Sequence, residues 1–455
     1  MTMQDNNKRI VVLGAGESGT GAAILAKDKG FDVFLSDSGT IAARYREVLE
    51  KENIAFEEGG HSTARILSAS EIIKSPGIPC DAPIVLQAVA KGIPVISEIE
   101  FAGRYTDSKM VCITGSNGKT TTTLLTHHIL RGAGIDAALA GNVGKSLAWQ
   151  VARDPHPVYV VELSSFQLDN MYSFKANVAV ILNITPDHLD RYGHDMGNYV
   201  RAKFRILQNM TSADSFIYWQ DDPVIADQLR HTATEARMLP FARSHEEGSA
   251  AYIDAENRLI LDTPGTSMSM PRADLALSGL HNVFNSMAAG LSACLLDIRN
   301  DDIRRGLSDF EGVEHRLEFV AETDGVRWIN DSKATNVNSC YYALEAMTSP
   351  VVLILGGKDK GNDYSEILPL VKDKVAAIVA MGIDNSKIVE FFSPHVAEVA
   401  DTGSLDEAIA ACRRLAKPGQ TVLLSPCCAS FDLFKSYEDR GRRFKDAVNA
   451  LKNSH

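Results

Sequence analysis

Residues 109–125 read KMVCITGSNGKTTTTLL, and this stretch decides the architecture of the middle of the chain. Met110–Ile113 is a short apolar, β-leaning run, and Leu124-Leu125 restarts an apolar pattern at helical spacing. Between them, TGSNGKTT is a glycine-rich turn from a strand into a helix. Such a turn offers backbone N–H groups and the positive end of a helix to an anion, and Gly115 and Gly118 permit close approach. Ser116, Asn117 and Thr121 share the turn with them. Lys119 is expected to reach the β- and γ-phosphates of ATP, with the Thr120 hydroxyl on Mg²⁺. The general phosphate-loop pattern asks for glycine where Ile113 stands, so the match is to the narrower TGSNGKTT variant.

A chain of 455 residues is too long for one core, and two or three domains are expected. Its 45% apolar and 23% charged content is that of a soluble globular protein. A net charge of −12 argues against nucleic-acid binding and requires local positive sites for anionic ligands. Seven scattered cysteines make no disulfide framework, and Cys427-Cys428 reads as a buried strand end rather than a zinc site. No leader-like or membrane-spanning apolar run occurs, so a cytoplasmic enzyme without membrane insertion is expected.

Upstream, KRIVVL (8–13) runs into GAGESG, with Gly14, Gly16 and Gly19, then a helical stretch and a strand ending at Asp37. This order of strand, G-x-G-x-x-G, helix, strand and acid is the fingerprint of a Rossmann unit, and alone it points to a nicotinamide cofactor. The alternatives are another phosphate-bearing ligand at the same helix start, or glycines that serve packing only. EIIKSPGI (71–78) reads as a strand ending in a Ser-Pro-Gly turn, and the first unit is expected to end near Ser97. Downstream, PVYVVEL (157–163) is an apolar strand with Glu162 at its carboxyl end, a position suited to Mg²⁺ beside the phosphate loop. ANVAVILNI (176–184) delivers Asp187, His188, Asp190 and Arg191 to the same edge. Lys203, on the helical NYVRAKFRI, reads by pattern as a surface lysine. Residues 211–275 are expected to form an accessory antiparallel insertion, followed by a helix over 278–295. A linker through Gly312 leads to renewed βα alternation, with SKATN, GGKDKG and SPCCASFD at strand ends.

TGSNGKTT, AGNVG, ELSSFQLD, NITPDHLDRY, YVRAK, GLHNVFN, EHRLE, NDSKATN and GGKDKG, in that order, resemble the ATP-dependent Mur ligases over nearly the whole chain. SPCCASFDLFKSYEDRGRRF and SPGI are most similar to the branch that adds D-glutamate. The resemblance implies three α/β domains: a Rossmann-like unit over 1–97 for a UDP-bearing acceptor, a central phosphate-loop ATPase sheet over 98–312, and a C-terminal Rossmann-like unit over 313–455 for the amino acid. It implies UDP-N-acetylmuramoyl-L-alanine at Glu17, Ser18, Asp37, Ser38, Ser75, Gly77 and Asn142, rather than NAD. It places ATP at Gly115–Thr121, Asn285, Arg316 and Asp331, and Mg²⁺, as one or two ions, among Thr120, Glu162 and His188. Lys203 matches a lysine that this family carboxylates to a metal-binding carbamate. Lys333, Thr335, Lys360, Ser430, Phe431 and Tyr437 match the D-glutamate pocket, with tyrosine at 437 where phenylalanine is expected.

By the same resemblance Lys119, Arg316, His188 and Lys203 are the catalytic set of a monomeric amide-forming ligase. With acceptor, ATP and amino acid on three separate domains, the third domain is expected to swing on the Glu311–Glu314 linker. Another amino-acid-adding Mur ligase, a folylpolyglutamate synthase, a nicotinamide oxidoreductase and a nucleotide switch without turnover stay open as alternatives.

Overall fold

A computed structural model describes residues 8–277, 279–359 and 361–452. Apart from a run of strands over 237–271 and a strand pair over 318–330, the described chain largely alternates strands and helices, and it builds three sheets. β1 (Arg9–Leu13), β2 (Asp32–Ser36), β3 (Ala55–Glu57), β4 (Glu71–Lys74) and β5 (Val95–Ser97) form the first, wholly parallel and ordered β3-β2-β1-β4-β5. The chain leaves β1 toward β2 and later returns to β4 on its other side. Between β1 and β4 the direction of winding therefore reverses, which opens a crevice at the carboxyl ends of both strands.

The second sheet contains β6 (Lys109–Thr114), β7 (Ala137–Gly141), β8 (Val158–Glu162), β9 (Val178–Ile181), β10 (Ser215–Trp219), β11 (Arg237–Ser244), β12 (Ala251–Ile253), β13 (Arg258–Thr263) and β14 (Thr266–Pro271). Its order is β14-β13-β12-β11-β10-β9-β6-β8-β7. Val111, Cys112 and Ile113 on β6 are fully buried, as are Val160 and Val161 on β8. This is why the central strands read as continuous apolar runs.

The expectation of an antiparallel insertion over 211–275 is corrected here. β10 and β11, joined by the helix Pro223–Leu229, continue the parallel sheet from β9, β12 pairs parallel with β11, and only the β12–β13 and β13–β14 pairings are antiparallel. SFIYW is half-buried at its end and short, so its parallel partners were not visible in its own residues.

The third sheet is β15 (Glu318–Thr323), β16 (Val326–Asn330), β17 (Val351–Gly356), β18 (Val375–Met381), β19 (Val399–Thr402) and β20 (Thr421–Cys427). The order is β15-β16-β20-β17-β18-β19, parallel except for β15. NDSKAT, SPCCAS and GGKDKG thus leave the carboxyl ends of three adjacent strands, β16, β20 and β17. All seven cysteines are free, and Cys427 and Cys428 are buried at the end of β20. Among the described residues no helix is long and apolar enough to cross a membrane.

By packing, Met1–Leu275 with Phe284–Phe310 forms one compact unit and Ala276–Val283 with Glu311–His455 a second. The first unit holds two sheets because one apolar core joins them, running from Ile10, Val12 and Leu35 through Ile99 and Phe101 to Leu147, Tyr159 and Phe216. The short helix Glu98–Gly103 is the clasp of that core. Its Glu100 is buried and accepts from the backbone N–H of Tyr172, Ser173 and Phe174 at 2.8–3.1 Å, with Arg104 beside it at 3.4 Å. Glu100→Ala would leave three backbone donors, the Phe174 N–H among them buried, without an acceptor. It should lower the unfolding free energy of this unit by roughly 2–5 kcal/mol, with a smaller loss for Glu100→Gln, as read from urea denaturation midpoints.

Candidate active site

The phosphate loop forms as expected. β6 ends at Thr114, Gly115 takes φ +151°, and Gly118 takes φ +84° immediately before the helix Lys119–Gly132. Gly118 admits no side chain for a second reason: a Cβ there would lie 2.3 Å from Oδ1 of Asn285. Asn285 also accepts from the Thr122 hydroxyl at 3.2 Å, which fixes the helix Leu280–Cys294 against the loop's helix. Residues beyond β9 brace the other side. The Asn117 N–H donates to Oδ1 of Asn183 at 2.8 Å, and the Ser116 hydroxyl donates to the Thr185 carbonyl at 2.8 Å. Thr120 and Thr121 are buried in the first turn of the helix.

Two lysines converge on this loop. Nζ of Lys119 donates to the carbonyls of Gly115 and Ser116, each at 2.9 Å. Nζ of Lys203 donates to the same Gly115 carbonyl at 2.8 Å. Lys203 is 1% exposed, so its pattern-based reading as a surface lysine is corrected. It lies on the helix Met196–Phe204, 4.6 Å above the ring of Tyr199 one turn earlier, and the Tyr199 hydroxyl is 3.0 Å from that of Ser116. Burial first, then the charge of Lys119, pushes the proton affinity of Lys203 well below that of an ordinary lysine, while Asp187, Asp169 and Glu162 oppose the shift. Tyr199 was not anticipated, although its spacing of four residues from Lys203 in YVRAK is the helical signal that could have found it.

Glu162 closes β8 in register with Ile113 of β6 and Gly141 of β7. Oε1 accepts from Nδ2 of Asn142 at 2.9 Å, while Oε2 is buried with no protein partner. An orphaned carboxylate oxygen beside a phosphate loop is the donor that a hard cation takes, so these residues fit Mg²⁺. His188 sits at φ +52°, left-handed and strained for a non-glycine residue. It is half exposed, packed edge-on to Phe166 at 5.3 Å, with Nε2 3.6 Å from Asp187.

At the crevice of the first sheet, GAGESG and the Ser-Pro-Gly turn meet. Gly14 takes φ +93°, and a Cβ on it would be 2.6 Å from Oγ of Ser75. That hydroxyl oxygen is buried and has no partner in the protein. Asp37 turns back on the loop, accepting from the N–H of Ala15 and of Gly39, each at 2.7 Å. Ser38, next to it, and Gly77, in the turn, are exposed. Glu17 and Ser18 open the helix Glu17–Asp28, and Glu17 accepts from the Tyr45 hydroxyl at 3.2 Å and the Ser146 N–H at 3.4 Å.

In the second unit, Asp331 follows β16 fully enclosed. It accepts from the Ser425 hydroxyl at 2.9 Å and the Leu317 N–H at 3.3 Å, and burial pushes its carboxyl up to about 7 against the pull of Arg316. Arg316 lies between two left-handed residues, His315 at φ +64° and Leu317 at φ +46°, and its Nε is buried without a partner. Lys333 lies 5.5 Å from the ring of Tyr437, which begins the helix Tyr437–Lys452. Thr335 is half-buried, Ser430 is buried, Phe431 is 69% exposed, and Lys360 falls outside the described residues. Arg440, fully buried, was not anticipated: it donates to Ser332 Oγ at 3.0 Å and carbonyl at 2.8 Å and to the Cys428 carbonyl at 3.2 Å, tying NDSKAT to SPCCAS. Of the expected ATP residues, Asn285 belongs to the first unit, and Arg316 and Asp331 to the second.

Family profiles described as the Mur ligase MurD-like N-terminal domain, the Mur ligase middle domain and the Mur ligase glutamate ligase domain match residues 8–97, 113–293 and 315–428. The chain belongs to the Mur ligase family. This Mur ligase is 59% identical over 445 residues to the UDP-N-acetylmuramoylalanine--D-glutamate ligase of Bacteroides fragilis, covering 98% of this chain and 100% of the relative. To the protein of the same name in Porphyromonas gingivalis it is 57% identical, over 96% of this chain and 98% of that one. Among solved structures, a pseudomurein peptide ligase type C from Methanothermus fervidus superposes with a TM-score of 0.62 at 21% identity, over 98% and 100% of the two chains. UDP-N-acetylmuramate-alanine ligase from Thermotoga maritima gives 0.61 at 18%, again over 98% and 100%. Both share the fold of this Mur ligase.

Because the folded state binds a proton at Asp331 more tightly than the unfolded chain does, this group's contribution to stability is complete below about pH 4. It falls as pH rises to about 7 and is level above that. Asp331→Asn keeps the shape without titrating. Between pH 5 and pH 8 the variant should therefore gain stability relative to the wild type, as read from urea midpoints.

Proposed function

We propose that this Mur ligase joins D-glutamate to UDP-N-acetylmuramoyl-L-alanine with hydrolysis of ATP to ADP and phosphate, in cytoplasmic synthesis of peptidoglycan precursors. The observation that carries the reading is the 59% identity, over 98% of this chain, to relatives named for that reaction. A carboxylate does not acylate an amine at neutral pH, because hydroxide would have to leave. Transfer of the γ-phosphoryl group to the L-alanyl carboxylate turns that oxygen into phosphate and releases ADP. The D-glutamate amine then attacks the acyl phosphate, and the tetrahedral intermediate collapses to the amide and phosphate. The first step depends on charge neutralisation and in-line placement.

On this reading the 115–121 loop and Lys119 hold the phosphates, Asn285 meets the adenine, and Arg316 and Asp331 take the γ-phosphate and ribose. Lys119 and Arg316 neutralise charge that builds on the transferring group. Glu162, Thr120 and His188 hold Mg²⁺, which supplies further neutralisation when bound; the unpartnered Oε2 of Glu162 supports this. The buried amine of Lys203, with its lowered proton affinity, suits addition to CO₂, giving a carbamate and one released proton. His188 either helps remove the proton from the attacking amine or orients the metal site. Glu17 and Ser18 meet the diphosphate of the acceptor, Ser75 and Gly77 close around its nucleotide, Asp37 and Ser38 lie near the uracil, and Asn142 meets the muramoyl part. Lys333, Thr335, Lys360, Ser430, Phe431 and Tyr437 bind D-glutamate, and the Tyr437 hydroxyl offers one more hydrogen-bonding group there.

The test is phosphate release with ATP and Mg²⁺, omitting the acceptor and D-glutamate in turn. Release should require both, with L-glutamate inactive. Preference for another amino acid would move the specificity within the family, and release that ignores the acceptor would overturn the ligase reading. Lys119→Met and Lys203→Ala should each cut the rate by roughly 100-fold or more. If the carbamate forms, high bicarbonate should leave Lys203→Ala unrescued, whereas a short carboxylic acid should restore part of its activity.

A further inference from the structure

Lys74 ends β4 and is 2% exposed, yet it belongs to none of the residue sets assigned above. Burying a lysine head is unfavourable unless its donors are used. Here they are: Nζ donates to the Ile78 carbonyl at 2.7 Å and to the Ser75 carbonyl at 3.5 Å. The Ile78 N–H also donates to the Ser75 carbonyl at 3.1 Å, and the Ser75 N–H donates to the Leu13 carbonyl at 3.0 Å. One amine therefore bridges both ends of the Ser-Pro-Gly turn, which is itself pinned to the end of β1. The turn faces the glycine loop at the reversal between β1 and β4, and at their meeting point lies the buried, unpartnered Oγ of Ser75. A methionine would fill the space of Lys74 without any of these bonds.

We propose that Lys74 is a positioning residue for the acceptor's diphosphate, holding the Ser75–Ile78 turn so that Ser75 Oγ and the Gly77 N–H converge with the Gly14–Glu17 loop on one anion. The inference rests on the reading that the UDP-bearing acceptor binds at this crevice. Burial lowers the proton affinity of the amine, with smaller effects from Cys80, Arg191 and Asp169. The bridging role needs only its N–H donors.

The experiment is steady-state phosphate release by Lys74→Met in the full-length enzyme. Removing the buried head should not itself unfold the protein. The KM for UDP-N-acetylmuramoyl-L-alanine should rise about tenfold, the cost of one well-used hydrogen-bonding group, while the KM for ATP and for D-glutamate stay within about twofold. Calorimetric binding of the acceptor without ATP should weaken by the same factor. The effect should also be less than additive with Ser75→Ala, since Lys74 acts through that turn. An unchanged acceptor KM, an equal rise in all three KM values, or additivity with Ser75→Ala would each overturn the proposal. Should the methionine variant not fold, Lys74→Gln is read in the same way. A wild-type enzyme that releases phosphate without needing the acceptor defeats the ligase reading itself, whereas an acceptor-dependent wild type matched by Lys74→Met defeats only the role of Lys74.

Discussion

The carbonyl of Gly115 receives two lysines, and much of the first unit is arranged so that it can. Lys119 reaches it from the helix that the loop begins, and Lys203 from a helix 84 residues further on, as their numbering shows. Two amines drawn to one oxygen raise the energy of carrying two charges there, and the enclosed one yields. The loop must stay fixed for this to hold. Asn183 and Thr185 brace it from the end of β9, Tyr199 from the Lys203 helix, and Asn285 from the far side of Gly118.

Parallel strands impose the second constraint. Their carboxyl ends lie on one edge of a sheet, so residues distant in sequence are delivered together. β6, β8 and β9 bring the phosphate loop, Glu162 and the His188 segment to one edge, β1 and β4 bring the glycine loop and the Ser-Pro-Gly turn to another, and β16, β20 and β17 bring three motif loops to a third. Antiparallel pairing is confined to β12–β14 on the second sheet and to β15 on the third. It extends the edges and leaves the carboxyl ends of the central parallel strands alone.

What could be read from the sequence follows from this division. TGSNGKTT and GAGESG were legible because their chemistry is local: a glycine with positive φ, a helix start, and a lysine at a fixed offset. Glu162 was legible because a lone acid ends an apolar strand. Lys203 and Lys74 were not legible as buried groups, since one sits on an ordinary amphipathic helix and the other at the end of a short strand. Only the packing of other elements encloses them. Arg440 was hidden among the arginines of DRGRRF, and nothing in that run distinguishes the buried one from its exposed neighbours. Over 211–275 the failure was one of pairing: short strands do not declare which neighbour they will join or in which direction.

The single core shared by the first two sheets bears on the entropy of reaction. The turns at β1 and β4 and the phosphate loop at β6 belong to one packed body, clasped by the helix Glu98–Gly103. On the proposed reading, two phosphate-bearing molecules that would otherwise have to find each other in solution each meet turns of this one packed body. On that reading much of their loss of translational freedom is settled when each binds. The ordering left for turnover is then a smaller problem than bringing three free molecules together.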